Sequence, residues 1–401
     1  MPMIPLELTD QFECANAEHI RRVNATSFTL STRSDHAVDN EPYRMADYYV
    51  AFRLINRNAI PATASVTYHE RDFPATGRTL AVRDLEKDQP LRVDDWRPLS
   101  REYVDVRAEE NACTLTLTVQ ADSMLDVSSM YWMSVTRVIE RLEEVRGNYG
   151  DMCRISSLGK TAQHRDIPIV DFSPLSRSDA PLCLVGATPQ SHELGTIAVM
   201  GILEAVLDGK LSEIVHRCRL VLLPLTNPDG NALGTCMTNS RRQNIIFGFG
   251  EAGTGRAAAE CEAVWAYITR ECGMNTPHFA LRTSHSETAF YLEFHSYPHL
   301  NRPSFRPYDV DRALFPDERS RARGEIFFGA VNEVSPNPPV TLTADTPGEK
   351  QFRPTLISRV IRELGIPATL YKLHNRETVE ANRQHAMKVL EHVVHAMCPK
   401  A

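Results

Sequence analysis

The chain has 401 residues, 42% of them hydrophobic and 24% charged, which leaves room for two ordinary globular domains and sets it apart from disordered chains. No apolar run approaches the ~20 residues of a membrane-spanning helix, and Met1-Pro2-Met3-Ile4-Pro5 lacks the basic and apolar regions of a secretory signal, so no membrane partner and a cytoplasmic location are expected. A net charge of −7 speaks against nucleic acid, which needs a concentrated positive field.

From about Ser27 to Gln120 the sequence reads as strands. Phe28–Ser31, Tyr48–Ile55 and Ala64–His69 are rich in β-branched and aromatic residues, and Thr114–Val119 alternates with period two, as a half-buried strand does. Turn-rich segments separate them, which predicts an antiparallel β-sandwich over residues 1–140. At Met130–Arg146 the pattern changes to a helix, with Val135, Val138, Ile139 and Leu142 on one face. Helices and apolar strands then alternate. Strands are expected at Leu182–Val185, Leu220–Leu225, Ala289–Phe294 and Ala368–Leu373, and helices at Thr196–Leu207, Ala258–Thr269, Leu356–Leu364 and Glu377–Met397. That order predicts an α/β unit over 150–401, with a mixed central sheet flanked by helices. Pro336–Pro347 reads as a surface loop or lid. Nine scattered cysteines with no C-x-x-C pair read as reduced, mostly buried thiols.

Ligands of open α/β sheets bind beyond the carboxyl ends of the strands. Four such ends carry polar residues: Gly186–Glu193 after Val185, Thr226–Gly230 after Leu225, His295-Ser296-Tyr297 after Phe294, and Lys372–Asn375 after Leu370-Tyr371. A divalent metal needs ligands converging from several segments, and His192, Glu193 and His295 are the obvious ones. The His-Glu pair is not the helical metalloprotease motif, because Thr196 stands where a second histidine is required.

Several of these segments together resemble the zinc carboxypeptidase family, in particular its cytosolic branch. They are Ile155–Lys160 with Arg165–Pro168, Leu223–Gly230 with its Asn-Pro-Asp-Gly, Gly248–Gly253, and Phe294-His295-Ser296-Tyr297. The resemblance implies zinc as cofactor and hydrolysis of an amide bond near the free carboxylate of a peptide or small metabolite. In the family's His-x-x-Glu register the chain has Gln190-Ser191-His192-Glu193, so Gln190, Glu193 and His295 would hold the metal; a one-residue shift would bring His192 in instead. Arg241, Arg242 and Asn244 fall where the family polarises the scissile carbonyl and binds the substrate carboxylate, and Ser296 and Tyr297 are further candidates for substrate binding. The family's general-base glutamate is replaced by Lys372, leaving Lys372 or Glu377 to move the proton. Two rival readings follow from these exchanges: a metal-poor binding module that kept the pocket, or a repurposed enzyme acting on a small amide or ester.

Overall fold

A computed structural model describes residues 4–33, 35, 49–69, 79–86, 95–176, 180–272, 288–297, 303–342 and 355–399. Period-two alternation decides the first third of it. In β9 (Ala112–Val119), Leu115, Leu117 and Val119 are buried while Thr116 and Thr118 face solvent. That strand lies in a sheet ordered β2 (Glu18–Arg22), β3 (Ser27–Ser31), β5 (Ala62–His69), β9 and β8 (Val104–Arg107). A second sheet runs β1 (Glu7–Thr9), β4 (Ala51–Asn56), β10 (Ser123–Ser128), β6 (Ala81–Glu86) and β7 (Arg97–Pro98). All these pairs are antiparallel except β3 with β5. The two sheets share one apolar core, with Leu8, Leu54 and Leu125 from one sheet and Phe28, Val66 and Leu115 from the other.

The third sheet has eight strands. Their order is β11 (Arg154–Lys160), β12 (Asp166–Asp171), β14 (Arg219–Leu223), β13 (Leu182–Ala187), β15 (Phe290–Tyr297), β18 (Ala368–His374), β16 (Arg306–Val310) and β17 (Val340–Leu342). The quartet β14-β13-β15-β18 is parallel, and β13 is buried along its whole length, as strands covered on both faces are. Its crossover helix α2 (Leu194–Leu207) is apolar nearly all round and packs on β13 and β15. The other helices are α1 (Val135–Asn148), the short α3 (Ser212–Arg217) and α4 (Pro228–Leu233), α5 (Ala259–Glu271), α6 (Glu318–Glu333), α7 (Leu356–Leu364) and α8 (Val379–Met397). None of the described helices is long and apolar enough to cross a membrane.

Several expected boundaries move. The helix read from Met130 starts at Val135, because Ser134 Oγ accepts the Arg137 amide as its cap; Met130–Met133 are irregular and buried. The closing helix starts at Val379, capped in the same way by Thr378. His295-Ser296-Tyr297 lie inside β15 instead of beyond it, since β18 continues to pair with them, His295 opposite Lys372 and Tyr297 opposite His374. Within the expected loop Pro336–Pro347, Val340–Leu342 form edge strand β17 and the carbonyls of Pro338 and Pro339 accept from Arg306; residues 343–347 lie outside the described ones. All nine cysteines are buried, and no disulfide joins them.

Candidate functional site

The parallel register of β13, β15 and β18 places three chain segments side by side at their carboxyl ends, where a buried charged cluster forms. Glu193 occupies the cap position of α2, and its Oε2 accepts the Ser296 amide at 2.5 Å. His295 Nδ1 lies 3.6 Å from that oxygen. The Lys372 ammonium stands 3.1 Å from His295 Nδ1, 3.4 Å from the Ser296 carbonyl and 4.0 Å from Glu193 Oε2. On the far side of the imidazole, Nε2 donates to Glu293 Oε1 at 2.5 Å, and Glu293 Oε2 accepts from the Tyr291 hydroxyl at 2.9 Å. Ser296 Oγ accepts the Leu194 amide at 3.3 Å, tying the helix start to the strand.

Burial governs the electrostatics. All five ionisable side chains of this cluster, Tyr291 included, belong to residues under 10% exposed. Burial, and then the Lys372 charge, hold His295 well below the usual histidine range, so the ring is neutral. Because an ammonium can only donate, the neutral ring presents its Nδ1 lone pair to Lys372 and carries its proton on Nε2, toward Glu293. Burial pushes the Glu293 carboxyl up to about 8, against the Tyr291 hydrogen bond and the lysine charge. It raises Glu193 as well, opposed by Lys372 and the Ser296 amide.

The remaining sequence-derived residues are arranged differently. Gln190 is buried beside the cluster's helix, with its amide nitrogen 2.9 Å from Met237 Sδ. His192 is fully buried; its Nε2 donates to the Asn231 carbonyl at 3.0 Å, and its ring stacks on Tyr49 with centroids 4.3 Å apart. Burial lowers it to about 4, so it too is a neutral histidine, bound to the backbone. Glu377 accepts from Ser304 Oγ at 3.1 Å. Asn244 uses its side-chain oxygen for the Ile246 and Phe247 amides, which makes it a turn former. Arg241 and Arg242 are exposed on the turn after Met237, where Asn239 Oδ1 accepts the amides of Arg241 and Gln243 and Arg242 takes the left-handed conformation at φ 58°. Asp229 fixes that turn by accepting from Ser240, Thr161 and Arg165. Tyr297 lies on β15, but its side chain is outside the described residues. The structure therefore gathers Glu193, His295, Ser296 and Lys372, and engages His192, Asn244 and Glu377 elsewhere.

Sequence reasoning passed over Glu293 and Tyr291. The signal was available: positions 291, 293 and 295 fall on one face of a strand, and a carboxylate inside an otherwise apolar strand needs a partner on that face. It also passed over Asp35, whose carboxylate accepts the Cys236 and Met237 amides at 2.6 and 2.5 Å and is bonded to the Thr238 hydroxyl. Nothing in the local sequence joins residues 200 apart.

The zinc implied by the resemblance takes three protein ligands plus water in a catalytic site. The residues present do not fit it. Among the described residues, no three His, Cys, Asp or Glu side chains are grouped to hold a metal. Gln190 directs its amide nitrogen at a thioether, and the lone pair of His295 Nδ1 meets an ammonium. Glu193 Oε1 is buried with no hydrogen-bond partner, a single open oxygen that makes no shell by itself.

Residues 138–323 match the family model described as zinc carboxypeptidase. Among solved structures the chain is similar to a metallo-carboxypeptidase from Burkholderia cenocepacia, with a TM-score of 0.73 at 12% identity over 97% of this chain and 98% of that one. It is also similar to a metallo-carboxypeptidase from Pseudomonas aeruginosa in complex with (2-guanidinoethylmercapto)succinic acid, with a TM-score of 0.70 at 15% identity, again over 97% and 98%. No curated protein sequence matches. At such identities the structural likeness speaks for the fold, and it agrees with the family model: residues 138–323 are similar to zinc carboxypeptidases, and the chain shares their fold.

Proposed function

We propose that this chain uses the carboxypeptidase fold to bind a peptide or small metabolite through its free carboxylate, and that it cleaves ordinary peptides slowly or not at all. The observation that carries this reading is the pair on β15 and β18. An amine stands opposite His295 where the family resemblance calls for a carboxylate base, and it is bonded to the ring. Glu377, the substitute base, is engaged with Ser304. Arg241 and Arg242 remain exposed on the Asn239–Gln243 turn, which follows Met237, the neighbour of Gln190, and guanidinium groups suit bidentate recognition of a carboxylate. Nine buried thiols with no disulfide among them favour a reducing, cytoplasmic setting.

A second reading, metal-dependent hydrolysis at an atypical site, is favoured by the partnerless Glu193 Oε1, an acceptor without a donor or cation in a fully buried position. Calorimetry with N-acetyl amino acids against their carboxamides tests the first reading: binding of the acids alone, weakened by Arg241→Ala or Arg242→Ala, is expected. Equal binding of acids and amides overturns it. Brisk zinc-dependent release of a carboxy-terminal residue from N-acylated dipeptides selects the second.

A further inference from the structure

We propose that the Lys372 ammonium is the resident cation of the strand-end site: it takes up the donors a divalent ion would use and so keeps zinc out. Three features build the case. His295 Nδ1 and Glu193 Oε2 are 3.6 Å apart, a spacing that two ligands of one ~2 Å shell can have. Both atoms converge on Lys372 Nζ, at 3.1 and 4.0 Å, and a third acceptor, the Ser296 carbonyl, lies 3.4 Å from it. The ammonium therefore replaces the charge of an ion and part of its coordination.

The backbone holds it there. Lys372 is directly opposite His295 in a parallel pairing that runs from Tyr291 to Tyr297, and its side chain is only 8% exposed. The imidazole is oriented for this partner as well, because Glu293 accepts the hydrogen bond from Nε2–H while the Nδ1 lone pair points at the amine. Such a carboxylate–histidine pair also orients metal-bound histidines; here the atom it presents is already occupied. A divalent ion reaching Nδ1 would sit against a like charge and strip the lysine of its acceptors. Gln190, its nitrogen on Met237 Sδ, offers no compensating ligand.

This inference rests on the reading that the family's pocket is retained, and its test does not depend on turnover. The wild-type chain, Lys372→Met, and Gln190→His/Lys372→Glu are dialysed against zinc and then buffer. Metal content is read by elemental analysis, affinity by calorimetry, and coordination by the visible absorption of bound cobalt(II). Wild-type protein is expected to retain almost no zinc, Lys372→Met to bind at least ~10-fold more tightly, and the double variant at least ~100-fold more tightly, in the range that changes around a metal shell produce. Far-UV circular dichroism checks that the variants fold. Should they not, the wild-type metal content decides alone. Stoichiometric zinc in the wild-type chain overturns the proposal, as does a folded Lys372→Met with unchanged affinity. Loss of carboxylate binding without zinc would sink the functional reading and leave this one standing.

Discussion

Two buried charge clusters among the described residues are built on opposite rules. In the first, three neighbouring strands carry Arg53, Asp126 and Arg83 in direct register across β4, β10 and β6. Asp126 Oδ1 accepts from Arg53 at 2.6 Å and Oδ2 from Arg83 at 2.8 Å. The guanidinium of Arg83 lies 4.6 Å from the ring centroids of both Trp96 and Trp132, and that of Arg53 lies 4.4 Å from Phe12. Cations outnumber the anion, aromatic faces take up the excess charge, and both carboxylate oxygens are bonded. In the strand-end cluster Glu193 has one ammonium 4.0 Å away, Glu293 is bonded to a neutral imidazole, and Glu193 Oε1 is left without a partner. A cluster that only joins strands can satisfy its anion completely. One with an unsatisfied buried acceptor at the mouth of parallel strands has the form of a site.

The sharpest way to break this contrast is Asp126→Ala. It leaves two guanidiniums, one of them 2% exposed, without a counter-charge. Removing one partner of a buried pair typically costs about 3–5 kcal/mol, so the urea midpoint should fall steeply, while carboxylate binding by the remaining folded protein should be unchanged. A loss below about 1 kcal/mol would mean that the aromatic rings alone hold the arginines, and the structural half of the comparison would fail.

Asp35 provides a third case, an anion with amide and hydroxyl donors around it and no cation bonded to it in the described contacts. Burial, opposed by the hydrogen bonds from Met237, Thr238 and Cys236, raises its carboxyl from 3.8 to about 6. The folded chain then holds a proton that the unfolded chain has released. Stability from this group is complete below about pH 4, falls as pH rises to about 6 and is flat beyond. The loss is about 3 kcal/mol at most, by the free energy of two pKa units. Glu293, raised to about 8, extends the decline to higher pH. The difference between wild type and Asp35→Asn across pH 4–6 isolates the Asp35 contribution; parallel stability curves would show that the carboxylate is not buried as described.

Much of the fold was legible because it depends on local pattern. Alternation in Thr114–Val119 and the apolar run Leu182–Val185 announce a half-buried and a fully buried strand. Caps such as Ser134 and Thr378 are visible in sequence too, and reading them would have corrected both helix starts. The parallel pairing of β3 with β5 and the edge strand at Val340–Leu342 were not legible, since partner choice is set by tertiary packing. The site was half legible. Strand-end logic found Glu193, His295 and Lys372, but could not tell that His192, adjacent to Glu193, is claimed by the Asn231 carbonyl and Tyr49. Our division into 1–140 and 150–401 remains a proposal; Trp96, Tyr131 and Trp132 pack in the larger core, so a fragment beginning at residue 150 would lose those rings.

The smallest expected effect concerns how α2 is seated on the sheet. Gly195, in its first turn, has no room for a side chain: a Cβ there would lie 2.2 Å from the Phe294 carbonyl oxygen and 3.0 Å from the Thr188 amide nitrogen. Those are backbone atoms and cannot swing aside, so Gly195→Ala must push the helix start away from β15. Overpacking of this kind costs about 1–3 kcal/mol. The shift also carries Glu193 away from the Ser296 amide and Leu194 away from Ser296 Oγ, the two bonds that seat the cluster's carboxylate. Gly147, near the end of α1, is the matched control, because nothing lies within 4 Å of a Cβ built there. Gly147→Ala should stabilise by about 0.5–1 kcal/mol through helix propensity alone. The Asp126 network should be indifferent to both changes, whereas the strand-end cluster should lose ligand affinity only with Gly195→Ala. If the two variants unfold at the same urea concentration, the close approach of α2 to β15 is not what positions Glu193. The cluster's geometry would then have to come from Lys372 and Glu293 holding His295.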